Sequence, residues 1–205
     1  GHGIIGLVKM GFDTGILRST DEQPEVRIDT PAGRVTATAH RDEDGTVREV
    51  SFLNVPSFLL ERDLTVSVDS LGEVTCDLAF GGAFYAYVDA DALDLPLVPK
   101  NHAAIVDRGM RIKRAVMDQY SIVHPDGDDD LNFLYGTIFV SRRHDGAHSR
   151  NVCVFAEGEV DRSPTGTGVS GRAAIHQAQG ELRLGEPIRI ESILGTSFEV
   201  EATRV

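Results

Sequence analysis

Thr165-Gly166-Thr167-Gly168-Val169-Ser170-Gly171-Arg172 repeats the glycine spacing of the opening stretch, Gly1-His2-Gly3-Ile4-Ile5-Gly6-Leu7. Gly1 matches Gly166, Gly3 matches Gly168 and Gly6 matches Gly171 at one constant offset. Each stretch runs into a helix-like segment, Ile4 to Met10 and Val169 to Ala178, with Gly11 and Gly180 as the expected stops. Glycines so placed let the backbone turn sharply into a helix and leave its first amides bare, which is an anion-binding arrangement. Two such starts facing one another would hold one carboxylate between them.

Outward from these stretches the pattern is mostly β. Val26 to Thr30 and Arg34 to Ala39 alternate apolar and polar, and Asp42-Glu43-Asp44-Gly45 reads as a hairpin turn into Val47 to Val55. Leu64 to Val68, Glu73 to Phe80 and Ala83 to Asp89 continue the meander, with Gly81-Gly82 permitting a tight turn or a close backbone approach. Asn101 is the expected N-cap of a helix to about Tyr120, whose stripe holds Ile105, Ile112 and Val116. Phe133 to Ser141, Asn151 to Ala156, Leu182 to Leu184, Ile188 to Ile193 and Phe198 to Ala202 are further strands. Strands mostly follow strands, so the fold class is α+β with antiparallel or mixed sheets.

With 205 residues, 41% hydrophobic and 25% charged, the composition is that of a globular protein able to bury a core. A net charge of -12 argues against nucleic acid, which demands a basic face. No apolar run reaches the roughly 20 residues of a membrane helix, and nothing in the sequence resembles a signal peptide, so a cytoplasmic location is expected. Gly1 is not an initiator Met, so the chain is expected to begin inside a longer protein. Cys76 and Cys153 both lie in strand-like runs and read as buried free thiols.

Both glycine stretches spell G-x-G-x-x-G, but neither stands in a βαβ unit with an acidic residue about 20 positions on, which argues against a dinucleotide. Asp126-Gly127-Asp128-Asp129-Asp130 lacks the ligand spacing of an EF-hand and reads as a solvated loop. His144-Asp145-Gly146-Ala147-His148 lacks the further ligands of a zinc site, and His40, His102, His124 and His176 have no convincing partners. No metal and no cofactor are therefore expected. Asp161-Arg162-Ser163-Pro164-Thr165-Gly166-Thr167-Gly168 is more pointed. The Gly166 and Thr167 amides suit an anion and Asp161 suits a cationic nitrogen, so together they fit a zwitterionic amino acid. A plain helix cap by Ser163 or Thr165 is the alternative.

That segment, with Gly1-His2-Gly3, strongly resembles the proline racemase family. Asp29-Thr30-Pro31-Ala32-Gly33, Asn54-Val55-Pro56-Ser57-Phe58, Gly81-Gly82-Ala83-Phe84-Tyr85-Ala86 and Ser149-Arg150-Asn151-Val152 resemble it too, in the right order. The resemblance implies a diaminopimelate-epimerase-like α+β fold of two pseudo-symmetric lobes, each with strands wrapped around a central helix. On that pattern residues 1–22 are the remnant of the first lobe, 23–185 the second lobe, and 186–205 strands returning to the first. The family's racemases place one cysteine just before Gly-His-Gly and a second where Thr165 stands. A threonine hydroxyl is a far weaker acid than a thiol, whose reference pKa is about 8.5. Thr165 thus resembles the trans-3-hydroxy-L-proline dehydratase branch, in which one base takes the Cα proton and a 3-hydroxyl leaves.

The implied reaction is cofactor-free and yields Δ1-pyrroline-2-carboxylate, with the base expected just before Gly1. Amides of Gly1, His2, Gly166 and Thr167 would hold the carboxylate, Asp161 and His2 the ring nitrogen, and Thr165 would orient the leaving hydroxyl or a water. Two alternatives stay open: a 4-hydroxyproline epimerase or proline racemase, and a non-catalytic imino-acid-binding protein. The expected partner is a small imino acid, with no nucleic acid and no membrane, and the expected assembly a homodimer.

Overall fold

The computed structural model describes residues 1–126, 129–142 and 146–204, in two units that divide between Val55 and Pro56. In the first unit, α1 (His2–Asp13) packs on an antiparallel sheet of β1 (Glu25–Thr30), β2 (Gly33–Arg41) and β3 (Val47–Leu53). Alternation along β2 turns Val35, Ala37 and Ala39 inward, where Ala37 and Ala39 meet Val8 of α1. The hairpin at Asp42–Gly45 forms as its sequence predicts: Asp42 N–H donates to Thr46 O at 2.9 Å, and Gly45 takes φ +83°.

Gly11 does not end α1. Leu17 folds back over it, its N–H donating to Gly11 O at 2.8 Å, and a Cβ at Gly11 would lie 2.6 Å from Leu17 Cδ1. The helix stops two residues later, where Gly15 adopts φ +73°.

The second unit is built on a mixed sheet. β4 (Phe58–Val68), β5 (Gly72–Phe80) and β6 (Phe84–Asp89) form the antiparallel meander; β6 then pairs in parallel with β7 (Leu134–Ser141) after the crossover helix α2 (His102–Gln119). β8 (Ser149–Phe155) returns antiparallel and carries the short β9 (Glu159–Val160). After α3 (Gly166–Ala178), β10 (Ile188–Glu191) joins β8 in parallel and β11 (Ser197–Val200) closes the order β11-β10-β8-β7-β6-β5-β4. Leu182 to Leu184 forms no strand; it contributes an isolated bridge from Leu184 to Ala202.

The two helices cover opposite faces of this sheet. Along β7, Ile138 reaches toward Gly168 of α3, whereas its neighbour Thr137 donates its hydroxyl to Gly109 O of α2 at 3.0 Å. Asn101 precedes α2 as expected but caps nothing, since its Nδ2 donates to Pro96 O at 2.8 Å. The expected boundaries at 22/23 and 185/186 concern lobes of a longer fold. Within this chain β1 to β3 belong with α1, and β10 and β11 extend the second unit's sheet. Among the described residues, no helix is long and apolar enough to cross a membrane.

Candidate functional site

The turn before α3 is wound by its own polar groups. Asp161 N–H donates to Cys153 O at 3.0 Å and ties the turn to β8. Asp161 Oδ1 then accepts from Ser163 N–H at 2.8 Å, and Ser163 Oγ accepts from Thr165 N–H at 3.0 Å. The Thr165 hydroxyl donates back to Asp161 Oδ2 at 3.0 Å. Asp161 and Thr165 are both buried, at 8% and 6% exposure. The backbone of Thr165 sits at φ +70°, ψ +101°, a region that a β-branched side chain disfavours. Strain of that kind costs on the order of 1–3 kcal/mol and concentrates at functional sites.

Thr165 occupies the N-cap position of α3, yet its hydroxyl faces Asp161 and makes no cap. The first amides of the helix, at Gly166 and Thr167, therefore have no intrahelical acceptor and no side-chain cap among the described residues. Asp161, Thr165, Gly166 and Thr167 are thus brought together at one helix start. Gly1 and His2 open α1 in the other unit, with Gly1 O accepting from Ile4 N–H at 3.0 Å.

Residues far away in the chain hold this start in place. Two tyrosines of β6 do so from beneath: Tyr85 OH lies 2.7 Å from Thr167 Oγ1, and Tyr87 OH donates to Gly168 O at 2.9 Å. Burial raises both phenols well above their ordinary range, so they stay neutral. A Cβ at Gly171 would run into the Tyr87 hydroxyl, and one at Gly81 into Thr167 O. Gly81 is therefore a point of close backbone approach as well as a turn. Alternation along β6 points Tyr85 and Tyr87 to the same face, a signal that was present in the sequence; which helix lies there was not.

Both cysteines are free and buried. Burial pushes the Cys76 thiol up to about 12 and Cys153 higher still, although a hydrogen bond with Thr165 opposes the second shift. Neither is a thiolate at neutral pH, so neither supplies a base. Tyr135 stacks on Phe155 at 5.6 Å and meets Tyr85 edge-on at 5.7 Å, so the part-exposed Tyr135 joins Phe155 to the buried tyrosine. Among the described residues no group of three or more His, Cys, Asp or Glu is placed to hold a metal. Residues 127–128 of the acidic run and His144-Asp145 of the histidine loop lie outside the described residues.

A cavity of about 140 Å³ occurs elsewhere in this unit, against Asp91, Leu97, Ser141 and Arg150. Ser141 donates to Asp91 at 2.7 Å and Arg150 pairs with Glu191 at 2.6 Å, while the buried Arg150 Nε makes no hydrogen bond among the described residues. Chemistry points to the start of α3.

The proline racemase family model matches residues 1–205. A trans-3-hydroxy-L-proline dehydratase of Colwellia psychrerythraea is 47% identical over 203 residues, covering 98% of this chain and 57% of the relative. A 3-hydroxyproline 2-epimerase of Burkholderia multivorans is 40% identical, covering 100% of this chain and 61% of that protein. A crystal structure of a hydroxyproline epimerase from Agrobacterium vitis, with trans-4-hydroxy-L-proline bound, superposes with TM-score 0.91 at 34% identity over 98% of this chain and 58% of its own. The chain spans about three-fifths of the length of the curated relatives it matches. From end to end, it belongs to the proline racemase family.

Proposed function

We propose that the protein carrying this chain dehydrates trans-3-hydroxy-L-proline to Δ1-pyrroline-2-carboxylate without a cofactor. The observation that carries this reading is the hydrogen bond from Thr165 to Asp161 at the position where the family's racemases resemble one another in having a cysteine. A hydroxyl is already a weak acid, and one whose proton is committed to a carboxylate does not return a proton to Cα. Inversion needs that returning proton; elimination does not.

A base takes the Cα proton; on the resemblance it stands just before Gly1. The charge that develops on the carboxylate is met by the amides of Gly166 and Thr167. Such preorganised donors are worth about 10²–10³ in rate each. The electron pair left at Cα forms the C2–C3 double bond as the C3–O bond breaks, and the leaving oxygen takes the proton that the base removed and departs as water. Thr165 orients that hydroxyl, and Asp161 pairs with the ring nitrogen. The enamine left behind tautomerises to the cyclic imine.

The test is incubation with trans-3-hydroxy-L-proline, followed by mass spectrometry for loss of one water and chemical trapping of the pyrroline. Absence of product with intact protein refutes the dehydratase reading. The epimerase relatives favour a second reading, inversion at Cα of proline or 4-hydroxyproline. Chiral chromatography of those two substrates separates it from the first, and ligand binding without α-proton exchange in D₂O marks a non-catalytic binder.

A further inference from the structure

Arg172 is 3% exposed, and its hydrogen bonds among the described residues all go to neutral groups. Nη1 donates to Asn151 Oδ1 at 2.8 Å, while Nη2 reaches Ser149 Oγ at 3.2 Å and His176 Nε2 at 2.8 Å. A guanidinium only donates, so His176 Nε2 is the acceptor and the ring's proton sits on Nδ1, facing Glu181 Oε2 at 2.7 Å. His176 was read from the sequence as having no partner; it has one on either side.

The other end of the chain of bonds reaches the site. Asn151 is fully buried, and with its oxygen held by Arg172 its amide nitrogen is left to donate to Pro164 O, a long bond of 3.4 Å. Pro164 O belongs to the peptide that joins Pro164 to Thr165. The orientation of that peptide sets the unusual φ of Thr165, and with it the direction of the hydroxyl. A buried cation held only by neutral partners is costly, and a packing role alone would be filled as well by an apolar side chain.

We propose that Arg172 and Asn151 are positioning residues, forming a buried rail from β8 and α3 to the Pro164 carbonyl that holds Thr165 in its strained backbone conformation. Arg172 acts through Asn151: it fixes which end of the amide faces the turn. This rests on the dehydratase reading for the reaction it serves, but the rail itself is a statement about Thr165's geometry.

Asn151→Asp separates positioning from packing. The new carboxylate is the same size and pairs better with Arg172, so the melting temperature should be kept or raised. It has no hydrogen to give to Pro164 O, so Thr165 should relax: its methyl resonance shifts in a threonine-labelled spectrum, and kcat for trans-3-hydroxy-L-proline falls about tenfold or more with KM changed less than about threefold. Unchanged Thr165 resonances and wild-type kcat overturn the rail, as does a loss of kcat that merely follows a loss of melting temperature. Should Asn151→Asp fail to fold, Arg172→Lys, which keeps the charge and one donor, gives the same contrast: reduced kcat with a shifted Thr165 methyl supports the rail, and wild-type kcat with a lowered melting temperature overturns it. If the wild type does not dehydrate the substrate, the reading of function fails while the Thr165 resonance still decides the rail.

Discussion

Thr165 is one residue with three constraints on it: a hydroxyl bonded to Asp161, a buried side chain beside Cys153, and a left-handed φ. None of these demands threonine. A cysteine is not β-branched and fits the same backbone with less strain. Beside the Asp161 carboxylate its thiol would stay protonated, the form that can return a proton to Cα. In the protein carrying this chain, Thr165→Cys is therefore expected to cut dehydration at least tenfold and to bring in inversion of 4-hydroxy-L-proline where the wild type shows little. Chiral chromatography reads the outcome, and dehydration at the wild-type rate would remove Thr165 from the chemistry. The identity of this residue was legible in the sequence because it departs from a pattern; its conformation was not, since φ is set by bonds to Asp161, Ser163 and, through Pro164, Asn151.

Among the elements, α3 shows most plainly what sequence can and cannot supply. Its extent and its stop before Gly180, at φ +73°, follow from local glycine chemistry. What lies under it follows from pairings between residues far apart in the chain, such as Tyr85 with Thr167, which no local period encodes. Gly11 and Asn101 misled for a nearer reason: each was read by rules of helix ends, and each answers to a residue five or six positions away, Leu17 and Pro96. Tyr85→Phe tests the element directly. Losing a buried hydrogen bond costs about 1 kcal/mol of stability when the partner can turn elsewhere. Because Thr167 lies in the turn proposed to bind the carboxylate, KM should rise several-fold more than kcat falls; an unchanged KM would place Thr167's amide outside substrate binding.

At the scale of the molecule, the class of fold was legible because hydrophobic alternation marks strands wherever one face is buried, as along β2 and β5. The division between Val55 and Pro56 was not, because it depends on which sheet each strand joins. The stability of the whole also carries a pH signature that the sequence hid. Burial, and then the Arg172 charge, lower His176 from 6.5 to about 4. Between those values the unfolded chain holds more protons than the folded one, so stability is lost as pH falls from about 6.5 toward 4. Glu181, held low by its hydrogen bond to His176, acts with the same sign below its ordinary 4.5. Melting temperature should therefore decline through this window, and His176→Gln, which retains an acceptor for Arg172, should flatten the decline. An equally steep fall in the variant would assign it to other groups.

The contact of Gly81 with the carbonyl of Thr167 has an evolutionary side. A turn between two strands abuts the first turn of α3, and Gly171 abuts Tyr87, so any side chain added behind the anion site displaces it. That wall has almost no room for variation. Tyr135, by contrast, is 37% exposed among Tyr85, Phe133 and Phe155. Sequence change on this scaffold should accordingly collect at exposed positions such as Tyr135, with the glycine-packed contacts left as they stand.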